Sequence, residues 1–81
     1  MKISVEMSLY PLTVTYIPVI QGFIDRLNAV QGLRVQTNTM STQVSGEYDL
    51  VFATLQRELR SVFAAGGANV LVTKFLGPVG D

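Results

Sequence analysis

Lys2–Tyr10, with the sequence KISVEMSLY, decides the fold because apolar and polar residues alternate along it without a break. In an extended chain successive side chains point to opposite faces, so every second residue lies on the same side. One side is polar apart from the ring of Tyr10, and the other consists of Ile3, Val5, Met7 and Leu9. The pattern predicts a β-strand with one buried face, which Pro11 is expected to end.

The segment after this strand has the spacing of a helix. Thr13 or Thr15 can cap its amino end, and Pro18 is tolerated in its first turn. Gly32 is expected to act as the carboxyl-terminal stop. The predicted apolar stripe consists of Ile17, Ile20, Ile24 and Leu27, with Phe23 on its flank.

A second helix is predicted over Glu47–Ala65, with Gly66 and Gly67 directly after it. Glu47 and Asp49 occupy its first turn, where the helix dipole favours acidic side chains. Its predicted apolar stripe is Tyr48, Val51, Leu55, Leu59, Val62 and Phe63, with Phe52 alongside. The predicted solvent side carries Arg57, Glu58 and Arg60.

Three further extended segments are predicted, at Leu33–Met40, Ser41–Ser45 and Asn69–Leu76. Asn38–Ser41 would form the tight connection between the first two, and Asn38 tolerates unusual backbone angles there. The order β-α-β-β-α-β predicts one domain over residues 1–81 with the α+β ferredoxin-like fold. In that fold two helices cover one face of a four-stranded antiparallel sheet with strand order 4-1-3-2.

The composition argues against several functions. Six basic and six acidic residues give zero formal charge, so the positive surface of a nucleic-acid-binding protein is not expected. The chain has no Cys and no His, which removes thiolate chemistry, the commonest general base and the commonest metal ligand. We therefore predict no catalytic residues, no metal site and no cofactor.

The apolar content predicts self-association rather than membrane insertion. Only 15% of the residues are charged, against about 25% in typical globular domains. Surplus apolar surface favours a homodimer or homotetramer, formed through the sheet face that carries Ser4, Glu6 and Ser8. Glu6, Pro11 and Pro18 interrupt the apolar amino-terminal region, so neither a signal peptide nor a membrane span is predicted and a cytoplasmic location is expected.

A polar stretch at Thr37–Gly46, TNTMSTQVSG, carries the candidate site. In the predicted topology its hairpin lies at the same sheet edge as the end of the first strand and the amino end of the first helix, whose free N–H groups are donors. Uncharged donors and acceptors there would suit a small heteroaromatic ligand. The candidate ligand-binding residues are Glu6, Ser8, Tyr10, Asn38, Thr39, Met40, Ser41 and Thr42. The alternative is that these side chains only satisfy backbone groups of their own hairpin.

Two segments resemble a known family: SVEMSLYPL at Ser4–Leu12 and TNTMSTQVSGEYD at Thr37–Asp49. They are similar to the YkoF-type thiamine/hydroxymethylpyrimidine-binding family, and the resemblance covers essentially the whole chain. It implies a ferredoxin-like, non-enzymatic domain that binds thiamine or its pyrimidine part. Some members carry two such domains in tandem, so this single domain would need a homodimer to recreate that arrangement.

Thiamine suits the chemistry of the candidate residues. Ser41, Thr42 and Asn38 can hydrogen-bond the edge of the aminopyrimidine. Glu6 could offset the thiazolium cation and Tyr10 could stack on it. Because no cluster of Lys or Arg accompanies these residues, thiamine is expected to bind better than its pyrophosphate.

Two other functions remain open from the sequence. A small dimeric α+β-barrel enzyme would have to use Tyr10, Glu6 or Lys74, and none of these has an activating partner in sequence. A regulatory module that only oligomerises would show no saturable binding of a small molecule. Acylphosphatase chemistry, metal chaperoning and RNA recognition each lack the residues they need, respectively an anion-loop Arg, a Cys pair and exposed aromatics on the third strand.

Overall fold

The computed structural model describes residues 1–80, and its elements follow the predicted order. They are β1 (Lys2–Pro11), α1 (Tyr16–Asn28), β2 (Arg34–Thr37), β3 (Thr42–Glu47), α2 (Tyr48–Ala64) and β4 (Asn69–Leu76). The strands form one antiparallel sheet in the order β2-β3-β1-β4. The predicted ferredoxin-like fold and its strand order are therefore confirmed.

The alternation in β1 supplies the centre of the core. Ile3, Val5, Met7 and Leu9 are each at most 9% exposed and pack under the two helices. Full burial of one such side chain stabilises a fold by roughly 1.5–3 kcal/mol. The opposite side of the sheet carries Ser4, Glu6, Ser8 and Tyr10 of β1, and we call it the open face.

β1 ends at Pro11, as predicted, although Pro11 itself still pairs with Asn69 of β4 and the strand is one residue longer than expected. The Leu12 N–H donates to the Ala68 carbonyl at 2.9 Å. This bond shows which residues of β1 direct their backbone N–H and C=O groups toward β4 and which direct them toward β3. By that alternation the nitrogen of Pro11 points away from β4, toward the side of β3. Since β3 begins only at Thr42, opposite Met7, no ladder bond is missing there.

The first helix turns a different stripe to the sheet from the one predicted. Phe23 and Leu27 are its buried residues, Val19 packs against the core, and Ile17 is 64% exposed. The series Val19, Phe23 and Leu27 has an exact i, i+4 spacing and places the largest ring at the centre of the sheet. Ile20 and Ile24 consequently lie to one side, partly buried.

The second helix also corrects a prediction, because Glu58 is buried rather than on the solvent side. Its carboxylate accepts a hydrogen bond from Arg26 Nε of α1 at 2.6 Å and another from Arg57 Nε at 2.9 Å. Tyr48 and Phe63, assigned to the stripe, are about half exposed, whereas Thr54 is buried. The packed side of α2 is thus rotated toward α1, and the two helices are joined by an ion pair.

Two glycines flank α2. Gly46 lies in β3, opposite Ile3, and a Cβ there would lie 2.9 Å from Leu33 Cδ2 and 3.1 Å from the Gly32 carbonyl oxygen, so a side chain at this position would crowd its neighbours. Gly66 follows the C-cap Ala65 with φ of +98°, as predicted for a helix stop. No helix within residues 1–80 is long and apolar enough to span a membrane.

Glu58→Gln should lower the free energy of unfolding by about 1–3 kcal/mol at pH 7, because two charged donors lose their ionic acceptor. Burial raises the pKa of the Glu58 carboxyl, but the hydrogen bonds and charges of Arg57 and Arg26 together bring it below its ordinary value. A lowered pKa in the folded state stabilises the protein above the unfolded pKa of about 4.3, and this stabilisation is lost as pH falls through the folded pKa.

Urea denaturation at pH 7 and at pH 3 measures this effect. The wild-type protein and Glu58→Gln should differ at pH 7, and the difference should be smaller at pH 3. Asp25→Asn is the control, because Asp25 is exposed and accepts only the hydrogen bond from Gln21. An equal loss of unfolding free energy in both variants would show that the ion pair between Arg26 and Glu58 adds nothing beyond the loss of one negative charge.

Candidate functional site

A cavity of about 180 Å³ lies between α1, the end of β1 and the connection from β2 to β3. We call it the hairpin cavity. Its apolar wall is formed by the side of α1 that faces away from the core centre and by the buried side of β1. The apolar lining residues are Met7, Leu9, Ile20, Phe23 and Ile24. The polar wall is the β2–β3 connection and the residues that flank it.

The polar wall is a tight turn closed by Asn38. The Asn38 N–H donates to the Ser41 carbonyl at 3.0 Å. Its side-chain Oδ1 accepts from the N–H groups of Met40 at 2.8 Å and Ser41 at 2.9 Å. Asn38 therefore works through its side chain, and its tolerance of unusual backbone angles is not used, since within residues 1–80 only glycines have positive φ.

Serine hydroxyls fasten this turn to β1. Ser8 Oγ donates to the Met40 carbonyl at 3.3 Å, and Ser41 Oγ donates to Glu6 Oε2 at 3.1 Å. Thr37 and Thr42 share a further hydroxyl bond of 3.2 Å at the base of the turn. Most of the hydroxyl groups in the polar stretch are thus used to hold the wall in place.

The backbone of β1 completes the site with an unpaired edge. The ladder between β1 and β3 ends at Met7, whereas the ladder between β1 and β4 continues to Pro11. In an antiparallel strand alternate residues direct both N–H and C=O to the same neighbour. Because Leu12 bonds toward β4, Leu9 directs both groups toward the missing part of β3. A backbone donor and acceptor therefore stand side by side where the cavity lies.

The structure brings together seven of the eight predicted ligand-binding residues. Those that line the hairpin cavity are Ser8, Tyr10, Asn38, Thr39, Met40, Ser41 and Thr42. Glu6 is not among them, and its carboxylate instead lies 3.3 Å from Lys74 Nζ and accepts a hydrogen bond from Ser41 Oγ. The hydrogen bonds from Lys74 and Ser41, with the charge of Lys74, hold the pKa of Glu6 below its ordinary value.

Two features of the site differ from the prediction or were missed by it. The amino end of α1 does not reach this cavity, since Thr13, Thr15 and Pro18 line a separate groove. The apolar wall formed by Ile20 and Ile24 was assigned to the core. The sequence contains a signal for this wall. Val19, Phe23 and Leu27 form one apolar stripe on α1 and Ile20 and Ile24 form another, and one helix cannot turn both stripes toward the centre of the sheet.

Within residues 1–80 no three acidic side chains come together as a possible metal-binding group. The one carboxylate near the turn, that of Glu6, is already paired with Lys74. The hairpin cavity itself offers hydroxyl, amide and backbone groups beside apolar side chains.

Solved structures of the same fold come from bacteria and archaea. A hypothetical protein from Methanocaldococcus jannascii has 21% identity and a TM-score of 0.82, covering 99% of this chain and 84% of that one. A putative thiamine biosynthesis/salvage protein from Thermotoga maritima has 18% identity and a TM-score of 0.80, covering 93% and 82%. A protein from Streptococcus pneumoniae has 23% identity and a TM-score of 0.85, covering 100% and 89%.

Sequence comparison adds a family assignment. The model of the YKOF-related family matches residues 2–75. No curated protein matches the chain.

Asn38→Ala should lower the free energy of unfolding by about 1–2 kcal/mol, because two backbone N–H groups lose their acceptor. Asn38→Asp keeps an acceptor oxygen at the same position and should retain most of the stability. Thermal or urea denaturation of the two variants measures the difference. Equal stability of the alanine variant and the wild type would show that the turn is held by its other contacts.

Proposed function

Because the chain belongs to the YKOF-related family, we propose that it is a non-enzymatic binding protein for thiamine or its hydroxymethylpyrimidine moiety. The name of the Thermotoga maritima protein of the same fold, which refers to thiamine biosynthesis or salvage, supports this ligand class. A role in transport, salvage or sensing of the vitamin is compatible with binding that leaves the ligand unchanged.

The observation that carries the proposal is the unpaired backbone edge of Leu9 beside the hairpin cavity. An aminopyrimidine presents an amino donor next to a ring-nitrogen acceptor. The Leu9 C=O would accept from the amino group while the Leu9 N–H donates to the ring nitrogen. The ligand then replaces the residue that β3 would have supplied had it been longer.

The size of the cavity favours the pyrimidine half of the vitamin. Sites for drug-sized ligands occupy about 300–1,000 Å³, whereas the hairpin cavity measures about 180 Å³. One six-membered ring can therefore be enclosed between Ile20, Ile24 and the turn. The thiazolium would remain at the mouth, near the exposed ring of Tyr10 and the exposed thioether of Met40.

The charged groups support binding rather than catalysis. Glu6 and Lys74, two of the three groups considered for an enzyme, neutralise each other on the open face, and neither lines the cavity. The Glu6 carboxylate accepts a hydrogen bond from Ser41 and so places a negative charge near the turn, but it would not contact a pyrimidine ring bound in the cavity. No cationic side chain lines the cavity, which favours thiamine over its pyrophosphate.

We also propose that the protein associates with itself through one half of the open face. Along β4 this half carries Val70 and Val72, both at least 45% exposed, next to the half-exposed Tyr10. We call these residues the apolar half. A second copy is the occupant we assign, because the low charged fraction leaves this surface apolar and a two-fold axis would cover both copies at once.

Isothermal titration tests the ligand. Hydroxymethylpyrimidine and thiamine should bind saturably, and thiamine pyrophosphate should bind more weakly. Ile20→Phe should weaken binding of the first two by at least about tenfold, because the added ring occupies the cavity. Ile17→Phe is the matched control on the same helix, exposed and outside the cavity, and should bind like the wild type.

Amide hydrogen exchange locates the contact. On addition of hydroxymethylpyrimidine, exchange of the Leu9 amide should slow markedly, while the amide of Val5, already paired with β3, should not change. Absence of heat with all three ligands would refute the proposed function. Binding that leaves Leu9 unprotected would refute this mode of recognition.

Sedimentation velocity at micromolar concentration tests self-association. The wild-type protein should sediment above its monomer mass of 8.8 kDa. Val72→Lys should shift it to the monomer, because a buried ammonium would lack a partner. Val14→Lys, at a position 95% exposed outside the apolar half, should not change the mass. A monomeric wild type would contradict the proposed association.

A further inference from the structure

The open face contains a second depression at the end opposite the hairpin cavity. It measures about 500 Å³ and is lined by β2, β3 and the beginning of β1. Ser4 and Ser45 stand opposite each other at its centre, on the two middle strands. We call it the serine depression. Ser8, which lines the hairpin cavity, is four residues along β1 from Ser4, a separation of roughly 13 Å.

Small side chains create this depression. Ser4 and Ser45 occupy the middle of a row across the sheet whose ends carry Arg34 and Leu76. The next row begins with Gln36 and Gln43, which line the same space. Two short side chains between longer ones leave a hollow on a twisted sheet. Its floor is polar, whereas a sheet face that packs against a second sheet is apolar.

The floor offers an unused donor. Ser4 Oγ and Ser45 Oγ are 2.7 Å apart and share one hydrogen bond. Each hydroxyl carries one hydrogen, so the bond uses one O–H and leaves the other to donate elsewhere. The amide groups of Gln36 and Gln43 add N–H donors at the rim.

Arg34 provides the charge. Its guanidinium makes no salt bridge and no side-chain hydrogen bond with any residue of the described range 1–80. The Glu47 carboxylate also lines the depression, but it is bonded to the amino group of Met1 at 3.0 Å and does not pair with Arg34.

We propose that the serine depression binds a small molecule through an oxyanion, either a carboxylate or a phosphate group. The guanidinium of Arg34 would hold two of the oxygens in its planar fork, and the free serine hydroxyl would donate to an oxygen at the floor. An arginine on an edge strand also discourages unwanted strand pairing. That role alone requires neither the serine pair nor the glutamines beside it. The site is independent of the proposed thiamine site and would take a ligand of opposite charge.

A titration followed by NMR tests this proposal. The ¹⁵N-labelled full chain is titrated with inorganic phosphate and, separately, with acetate, with sodium chloride holding ionic strength constant. We expect saturable shifts of the Ser4, Ser45 and Gln43 amides with at least one of the two anions. The anion whose titration saturates shows whether the site prefers a phosphate or a carboxylate group. The Leu9 amide, which lies at the hairpin cavity, should not shift with either anion.

Arg34→Gln should weaken the affinity by about tenfold, the loss of one charge-assisted contact. Arg60→Gln removes the same charge from the exposed side of α2 and should change the affinity less than about twofold. Ser45→Ala should weaken it as well while leaving the net charge unchanged. Shifts that never saturate with either anion, or an equal loss in the two arginine variants, would overturn the proposal.

Discussion

The site depends on a mismatch in length between neighbouring strands. β1 keeps β4 as a partner along Ser4–Pro11, but it loses β3 after Met7. A sheet normally satisfies both edges of its central strand, and an unpaired stretch inside a domain is costly unless something else bonds to it. Here the gap results from the turn at Asn38, because β3 begins only at Thr42 after that turn. The cavity is therefore a consequence of where one turn is placed.

The fold could be predicted because its signals are local. Alternation in β1, two helical segments and glycines after each of them fix the element order, and the order leaves few topologies. Helix orientation could not be predicted in the same way. On α1, Ile17, Ile20 and Ile24 compete with Val19 and Phe23 for the core, and sequence spacing does not show which series faces a sheet of a given twist.

The sequence predicts which residues meet at the turn, but not what their polar atoms bond to. The topology alone brings the end of β1 to the turn, so seven of the eight residues were placed together. The roles of their polar atoms were not evident, because Ser41, Thr42 and Asn38 form bonds within the wall. The pairing of Glu6 with Lys74 could not be predicted, because the register of β1 with β4 is a long-range property. The unpaired backbone groups of Leu9 could not be predicted from side-chain patterns, because they depend on where β3 begins.

The Arg26–Glu58 bond has a consequence beyond stability, because Arg26 belongs to the same helix as Ile20 and Ile24. α1 is connected to the turn side of the molecule at one end and clamped to α2 two residues beyond Ile24. The Arg26–Glu58 bond therefore holds in place the helix that carries Ile20 and Ile24, and its acceptor lies on α2, which contributes no residue to the lining of the hairpin cavity.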